Sequence, residues 1–241
     1  MAVLPASPSS RGTGNLLLDA LPDVDRARLL EREWIRTMGP GEALLRDGER
    51  IGNVWFPVTA VVSLLTTLDD GSAVETATVG REGVVGAVVF LGDDRLRNGR
   101  AVVQLAGELV GVPADAFRAV LADSGKLHAA MNDYTRALLF QLAQSVACNA
   151  AHSVQERLAR WLLQTADRLG RTEIELTQQF LSEIVHARRA SVTDVLAALE
   201  DAGALRRGRG RIVVRRRAIL EDAACECYAA VRDAYAHVAG A

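Results

Sequence analysis

Cysteine is scarce in this chain: Cys148, Cys225 and Cys227 are the only three in 241 residues, and all lie in its second half. An odd count so placed excludes a disulfide-stapled scaffold and fits a reducing compartment. Cys225-Glu226-Cys227 is too short to close a favourable disulfide, and the sequence shows no second cluster to complete a four-ligand metal site. Packed thiols and no metal are therefore expected. Long apolar runs are missing too. Nothing approaches the roughly 18 uninterrupted apolar residues of a membrane span, and the first residues lack the basic start and apolar centre of a secretory leader. The expected location is the cytoplasm, with no membrane partner. A catalytic set is also wanting. His128, His152, His186 and His237 fall on helical stretches or their ends, no glycine loop cradles a phosphate, and no His-Glu-x-x-His occurs. Without nucleophile, base and orienting group together, an enzyme is not expected.

What the chain does have is segregated charge. The net charge of −2 hides a stretch between residues 186 and 217 in which nine arginines (188, 189, 206, 207, 209, 211, 215, 216 and 217) meet only Asp194, Glu200 and Asp201. Structural periodicity also changes along the sequence. Residues 1–14 are rich in Pro, Ser and Gly and cannot repay the entropy of ordering, so a frayed tail is expected. Residues 15–32 set leucines on one face of short helices interrupted by Pro22. From about 33 to 112, β-branched runs at 54–57, 60–68, 74–79 and 101–105 alternate with turn signals, the spacing of a sandwich or barrel. Asp69-Asp70-Gly71 marks a hairpin between two of them, since Asp and Gly tolerate positive φ.

Pro113 and Asp115 open a helical stretch, followed by a long one over about 126–168. There Leu127, Met131, Tyr134, Leu138 and Leu142 recur at three- and four-residue steps. This seam wants a partner helix, in the same chain or in a second copy, and these five residues are the expected dimer interface. Thr177-Gln178-Gln179 can cap a helix carrying Phe180, Leu181, Ile184 and Val185. After His186-Ala187-Arg188 a second helix turns Val192, Val195, Leu196 and Leu199 inward. Gly203 ends it, and Leu205 to Arg215 reads as two short strands about a Gly-Arg-Gly turn, the outline of a wing.

Helix, turn, helix and arginine-studded hairpin together point to duplex DNA. Arg206, Arg207, Arg209 and Arg211 on the hairpin would meet phosphates, releasing counterions and making affinity salt dependent. Arg188, Arg189, Ser191, Thr193 and Asp194 lie at the end of the second helix that enters a major groove, where Arg pairs bidentately with guanine. A wing that docks on a protein is the alternative; its surface would be more apolar and less uniformly cationic.

Residues 181–205, through His186-Ala187-Arg188-Arg189, resemble the helix-turn-helix of the Crp/Fnr family in register, and the resemblance extends over nearly everything after the first ~15 residues. It implies an α+β chain: a tail over 1–14, a cyclic-nucleotide-binding-like β-roll as sensor over 15–125, a dimerisation helix over 126–150, a winged helix-turn-helix over 151–220 and a C-terminal helix over 221–241. It also implies a homodimer on two-fold symmetric DNA, RNA polymerase as a further partner, phosphate contacts at Gln178 and Gln179, and Arg189 as the guanine reader. His186 stands where the family's turn usually has Gly. The family's effector cassette aligns with Gly86-Ala87 and Arg97-Asn98. Ala87 replaces the carboxylate that holds the ribose hydroxyl, so cyclic AMP is expected to bind weakly or not at all. The cysteines of the iron–sulfur branch have no counterpart before Cys148, and His128 alone does not make a haem site, so neither cofactor is expected.

Overall fold

A computed structural model describes residues 12–238 apart from Ser72, Thr177 and His186; the side chains of Gln178, Gln179 and Glu183 are also outside it. Most of the expected tail thus lies outside the described residues. Its last part does not fray: the Thr13 amide donates to Asp19 Oδ1 at 2.6 Å and the Gly14 amide to Asp19 Oδ2 at 3.1 Å.

Two short helices lead in, α1 (Leu16–Asp19) and α2 (Asp23–Leu30), burying Leu17, Leu18, Leu21 and Leu29 against the β domain. Asn15 starts α1: its Oδ1 accepts from the Leu18 amide, while its Nδ2 donates to the carbonyls of Pro57 and Gly83. The β domain holds β1 (Trp34–Met38), β2 (Ala43–Leu45), β3 (Asn53–Pro57), β4 (Val61–Thr67), β5 (Ala73–Val79), β6 (Gly99–Leu105) and β7 (Gly107–Pro113). They form two antiparallel sheets, β1-β7-β3 and β2-β6-β4-β5. The Asp69-Asp70-Gly71 hairpin is there: β4 pairs β5 with Thr67 opposite Ala73, and Gly71 takes φ 83°.

Helix α3 (Ala114–Asp123) follows, then the long α4 (Gly125–Ala151). Ser124 fixes the start of α4, accepting from the Leu127 amide at 3.0 Å while its own hydroxyl donates to Asp25 at 2.6 Å. Leu127, Met131 and Tyr134 are fully buried in the chain's own core beside Val84, Phe117 and Val120, and Leu138 and Leu142 are half-buried. The expected dimer seam therefore has its partner within one chain: the β domain and α3 cover it, which corrects the assignment of Leu127, Met131 and Tyr134 to an intermolecular surface. The apolar residues that α4 leaves open lie on another face: Leu139, Phe140 and Val146 are 61%, 42% and 72% exposed.

At His152 the helix breaks. Ser153 and Glu156 form a capping box that starts α5 (Val154–Leu169), which ends on left-handed Gly170. Beyond lie β8 (Glu173–Glu175), α6 (Gln178–Ile184), α7 (Arg189–Asp201), β9 (Leu205–Gly208), β10 (Arg211–Val214), α8 (Arg217–Asp222) and α9 (Cys227–Tyr235). The sheet β8-β10-β9 and helices α5 to α8 enclose a second core, joined by Val61 and Leu105 of the β domain. Helix α9 turns back on α4, so Val231 and Tyr235 belong to the first core and Tyr228 to the second.

The two cores meet across buried polar groups. Arg168 of α5 donates to Glu82 at 2.7 Å and to Gln141 of α4 at 3.2 Å, and Gln141 accepts from Tyr235 at 2.7 Å. Nearby, Glu75 of β5 accepts from Ser63 at 2.6 Å and from Gln104 at 2.5 Å, facing Arg160, Arg168 and Trp161 of α5. Burial of its carboxyl outweighs these partners and pushes its pKa up to about 7 from an ordinary 4.5. A carboxyl that keeps its proton in the folded chain favours folding in acid. As pH rises from about 4.5 through about 7, the folded protein loses that preference, and above this window the loss is complete. Chemical denaturation at pH 5 and pH 8 will show a fall of about 1–3 kcal/mol, the lower end reflecting the residue's partial exposure. Glu75→Gln will flatten it.

Candidate nucleic-acid interface and sensor pocket

The packing of α7 dictates which of its residues are available. Val192, Leu196 and Leu199 are buried against α5, α6 and the small sheet, so the opposite face and the N-terminus remain. Arg188 is the N-cap residue and Arg189 the first helical one; both are exposed, and neither has a carboxylate partner among the described residues. The helix dipole and free amides there favour anions. Asp194 is exposed on the same helix and Ser191 is half-buried. The Thr193 hydroxyl donates to the Arg189 carbonyl at 2.9 Å. Gln178 and Gln179 open α6, their side chains outside the described residues, as is His186.

The wing is a tight hairpin, with Arg211 opposite Gly208 and a two-residue turn of Arg209 and Gly210. Gly210 takes φ 70°, which a side chain would strain. Arg189 and the wing share one groove, lined also by Leu176, Gly208, Gly210 and Arg211. The wing arginines divide in two. Arg206 and Arg209 are exposed with no carboxylate partner among the described residues, whereas Arg207 is half-buried and grips Glu200, its amide donating to Oε1 at 2.8 Å and its Nε to Oε2 at 2.6 Å. Arg211 pairs with Glu173 at 3.0 Å. Of the four arginines expected to meet phosphate, Arg206 and Arg209 are open, whereas Arg207 also ties the wing to α7 through Glu200 in the last turn of that helix. The signal was Glu200, seven residues before Arg207 and in the last turn of α7. Arg215 and Arg216, just after the wing, are also exposed and were not among the expected contacts. Arg217 is engaged with Asp167 and Glu221.

In the sensor, Gly86 takes φ 96° and begins a 3-10 turn over Ala87–Val89. Its neighbours are Val54 and Ile51, and Val89 is buried. Arg97 does not point inward: its side chain is 77% exposed and lies 3.6 Å from Asp93. Asn98 takes φ 55° and its amide donates to Asp47 at 2.6 Å. Of the four expected effector residues, Gly86 and Ala87 line the fold's interior edge, whereas Arg97 and Asn98 belong to an exposed loop. His128 stacks edge-on against Phe90, ring centroids 5.1 Å apart.

A β-rich sensor, a long helix and a winged helix in this order define a sensor-coupled DNA-binding regulator. Two family models match in the same order: a cyclic nucleotide-binding domain over residues 35–124 and a Crp-like helix-turn-helix domain over 156–223. The chain belongs to the Crp/Fnr family of transcription regulators, which are not enzymes. The fold is shared with FixK2 from Bradyrhizobium japonicum, at 18% identity and a TM-score of 0.68 over 80% of this chain and 98% of that one. It is also shared with CLP of Xanthomonas campestris, titled a c-di-GMP responsive global regulator, at 16% identity and 0.63 over 80% and 99%. A Crp/Fnr-family regulator from Eubacterium rectale shows 13% identity and 0.62 over 86% and 96%. No curated protein matches the chain. No helix among the described residues is long and apolar enough to cross a membrane.

Because Arg207 is bound to Glu200, Arg207→Ala should cost about 1 kcal/mol in urea denaturation. Arg209→Ala, at the free tip, should leave the midpoint unchanged.

Proposed function

We propose that the chain regulates transcription as a homodimer whose two winged helices read a two-fold symmetric site, with half-sites about one helical turn, ~34 Å, apart. The observation that carries this is the set of exposed arginines that form no ion pair among the described residues, Arg188 and Arg189 at the N-terminus of α7 and Arg206 and Arg209 on the wing. Arg189 is the base reader, assisted by Ser191, Thr193 and Asp194. Arg206 and Arg209 contact phosphate, joined by Arg215 and Arg216. Gln178 and Gln179 are assigned phosphate contacts on family grounds.

The dimer is held by the open face of α4, where Leu139, Phe140, Ala143, Val146 and Ala147 repeat at helical spacing. Cyclic AMP is not the effector in the family's usual way: Ala87 has no acceptor for a ribose hydroxyl, and Arg97 is turned toward Asp93 and solvent. RNA polymerase is the partner that the output of such a regulator reaches.

Mobility shifts on genomic fragments, including the chain's own promoter region, test the reading. Wild type should give selective, salt-sensitive shifts indifferent to cyclic AMP. Arg188→Ala/Arg189→Ala should abolish selectivity, and Arg209→Ala should weaken all sequences alike and lower the salt slope by about one. Loss of selectivity in none of the variants would contradict it. Val146→Glu should shift the chain from dimer to monomer in light scattering, and binding to two-fold sites should fall with it.

A further inference from the structure

The sequence offered Cys225 and Cys227 no partner ligands. The fold overturns that expectation by bringing in the last turn of α4. Cys148 lies in the last turn of α4 and His152 caps that turn, its amide donating to the Cys148 carbonyl at 3.1 Å, while the start of α9 lays Cys225 and Cys227 against them. One ligand atom from each of the four lies within 4.8 Å of every other. We propose that Cys148, His152, Cys225 and Cys227 together bind one tetrahedral Zn²⁺ ion, which clamps the break between α4 and α5 to the start of α9.

The distances fit a single small cation. With Zn–S near 2.3 Å and Zn–N near 2.0–2.1 Å, a tetrahedron separates two sulfurs by about 3.8 Å and sulfur from nitrogen by about 3.5 Å. Cys148 Sγ lies 3.5 Å from Cys225 Sγ, and Cys227 Sγ 3.5 Å from His152 Nδ1. A disulfide would draw two sulfurs far closer and leave a thiol and an imidazole facing it. A two-iron cluster would spread its ligand pairs beyond this shell. Three sulfurs and an imidazole select a borderline-soft ion over the oxygen-seeking Mg²⁺ and Ca²⁺.

The surroundings complete the design. His152 Nε2 faces Glu226 Oε1 at 3.2 Å. A proton donated there leaves Nδ1 as the lone pair beside the sulfurs, the carboxylate–histidine–metal arrangement that orients a ligand imidazole. Gln144 donates to Cys227 Sγ at 3.0 Å, a bond that supports a thiolate. The three cysteines are buried, whereas Glu226 is 77% exposed, so an ion can enter from that side. Four protein ligands leave no open position, which makes the site structural. Its placement gives the clamp a consequence: Tyr228, next to Cys227, packs in the winged-helix core, and Val231 and Tyr235 pack in the sensor core.

The test uses the full chain, purified with a phosphine reductant and no added chelator. Mass-spectrometric metal analysis should find about one zinc per chain. Exchange with Co²⁺ should give the intense visible bands of a tetrahedral, thiolate-rich site, and Cys148→Ser and His152→Ala should lose the ion. Glu226→Gln, at an exposed position that leaves the fold intact, should weaken zinc 10–100-fold in chelator competition. The proposal is overturned if the folded chain takes up neither zinc nor cobalt, if iron occupies the site instead, if a Cys148–Cys225 disulfide is found, or if Glu226→Gln binds zinc as tightly as wild type.

Discussion

The buried pair of Arg168 and Glu82 is the constraint on which the arrangement of this molecule depends. Their side chains are only 6% and 15% exposed, and the cost of taking two charges out of water is offset by close pairing and further hydrogen bonds, although Nη1 of Arg168 has no partner among the described residues. Gln141 of α4 supplies one, accepting from Arg168 and from Tyr235 of α9 while donating to the Thr78 carbonyl of β5. Three elements, α4, α9 and β5, are thus tied to α5 through Arg168 and its partner Gln141. Gly80 shows how closely they fit: a Cβ there would lie 2.5 Å from the Arg168 Cβ. Removing either charge would strand the other in a nearly dry site, a loss of about 3–5 kcal/mol.

Because this joint fixes α5 against the β domain, the winged helix is presented at a defined angle from α4. Its arginines then divide by packing. Those beside a carboxylate, Arg207 and Arg217, hold the domain together, while those at the N-terminus of α7 and the wing tip remain for an anionic partner. A chain with net charge −2 therefore presents a strongly cationic edge without being basic overall.

Much of this was legible in the sequence because it rests on local rules. Asp69-Asp70-Gly71 specified the hairpin between β4 and β5, and Gly210 with alternating arginines specified the wing. Gly203, at φ 78°, ended α7. Strands β1 and β7 were not legible. β1 is exposed at four of its five residues and shows no alternation; β7 carries Gly107 and Gly111 and ends in Pro113, all breaker signals, yet it pairs on both sides. Gly111 is required because Trp34 and Trp55 close over it. The stripe on α4 was expected to face a second copy, yet Leu127, Met131 and Tyr134 lie in the chain's own core, because periodicity marks an apolar face without saying what covers it. The division of labour among the arginines, and the convergence of Cys148 and His152 on residues more than seventy positions away, exist only in three dimensions.

The central claim is that sensor and winged helix form one cooperative unit through the Arg168–Glu82 joint. Equilibrium urea unfolding with two probes tests it: fluorescence from Trp34 and Trp55 in the β domain in a Trp161→Phe background, and from Trp161 alone in a Trp34→Phe/Trp55→Phe background. With Glu82 intact the two transitions should coincide, and with Glu82→Gln the winged helix should melt first at a lower midpoint. Separate transitions in the chain with Glu82 intact, or coincident ones that Glu82→Gln leaves unmoved, would contradict it.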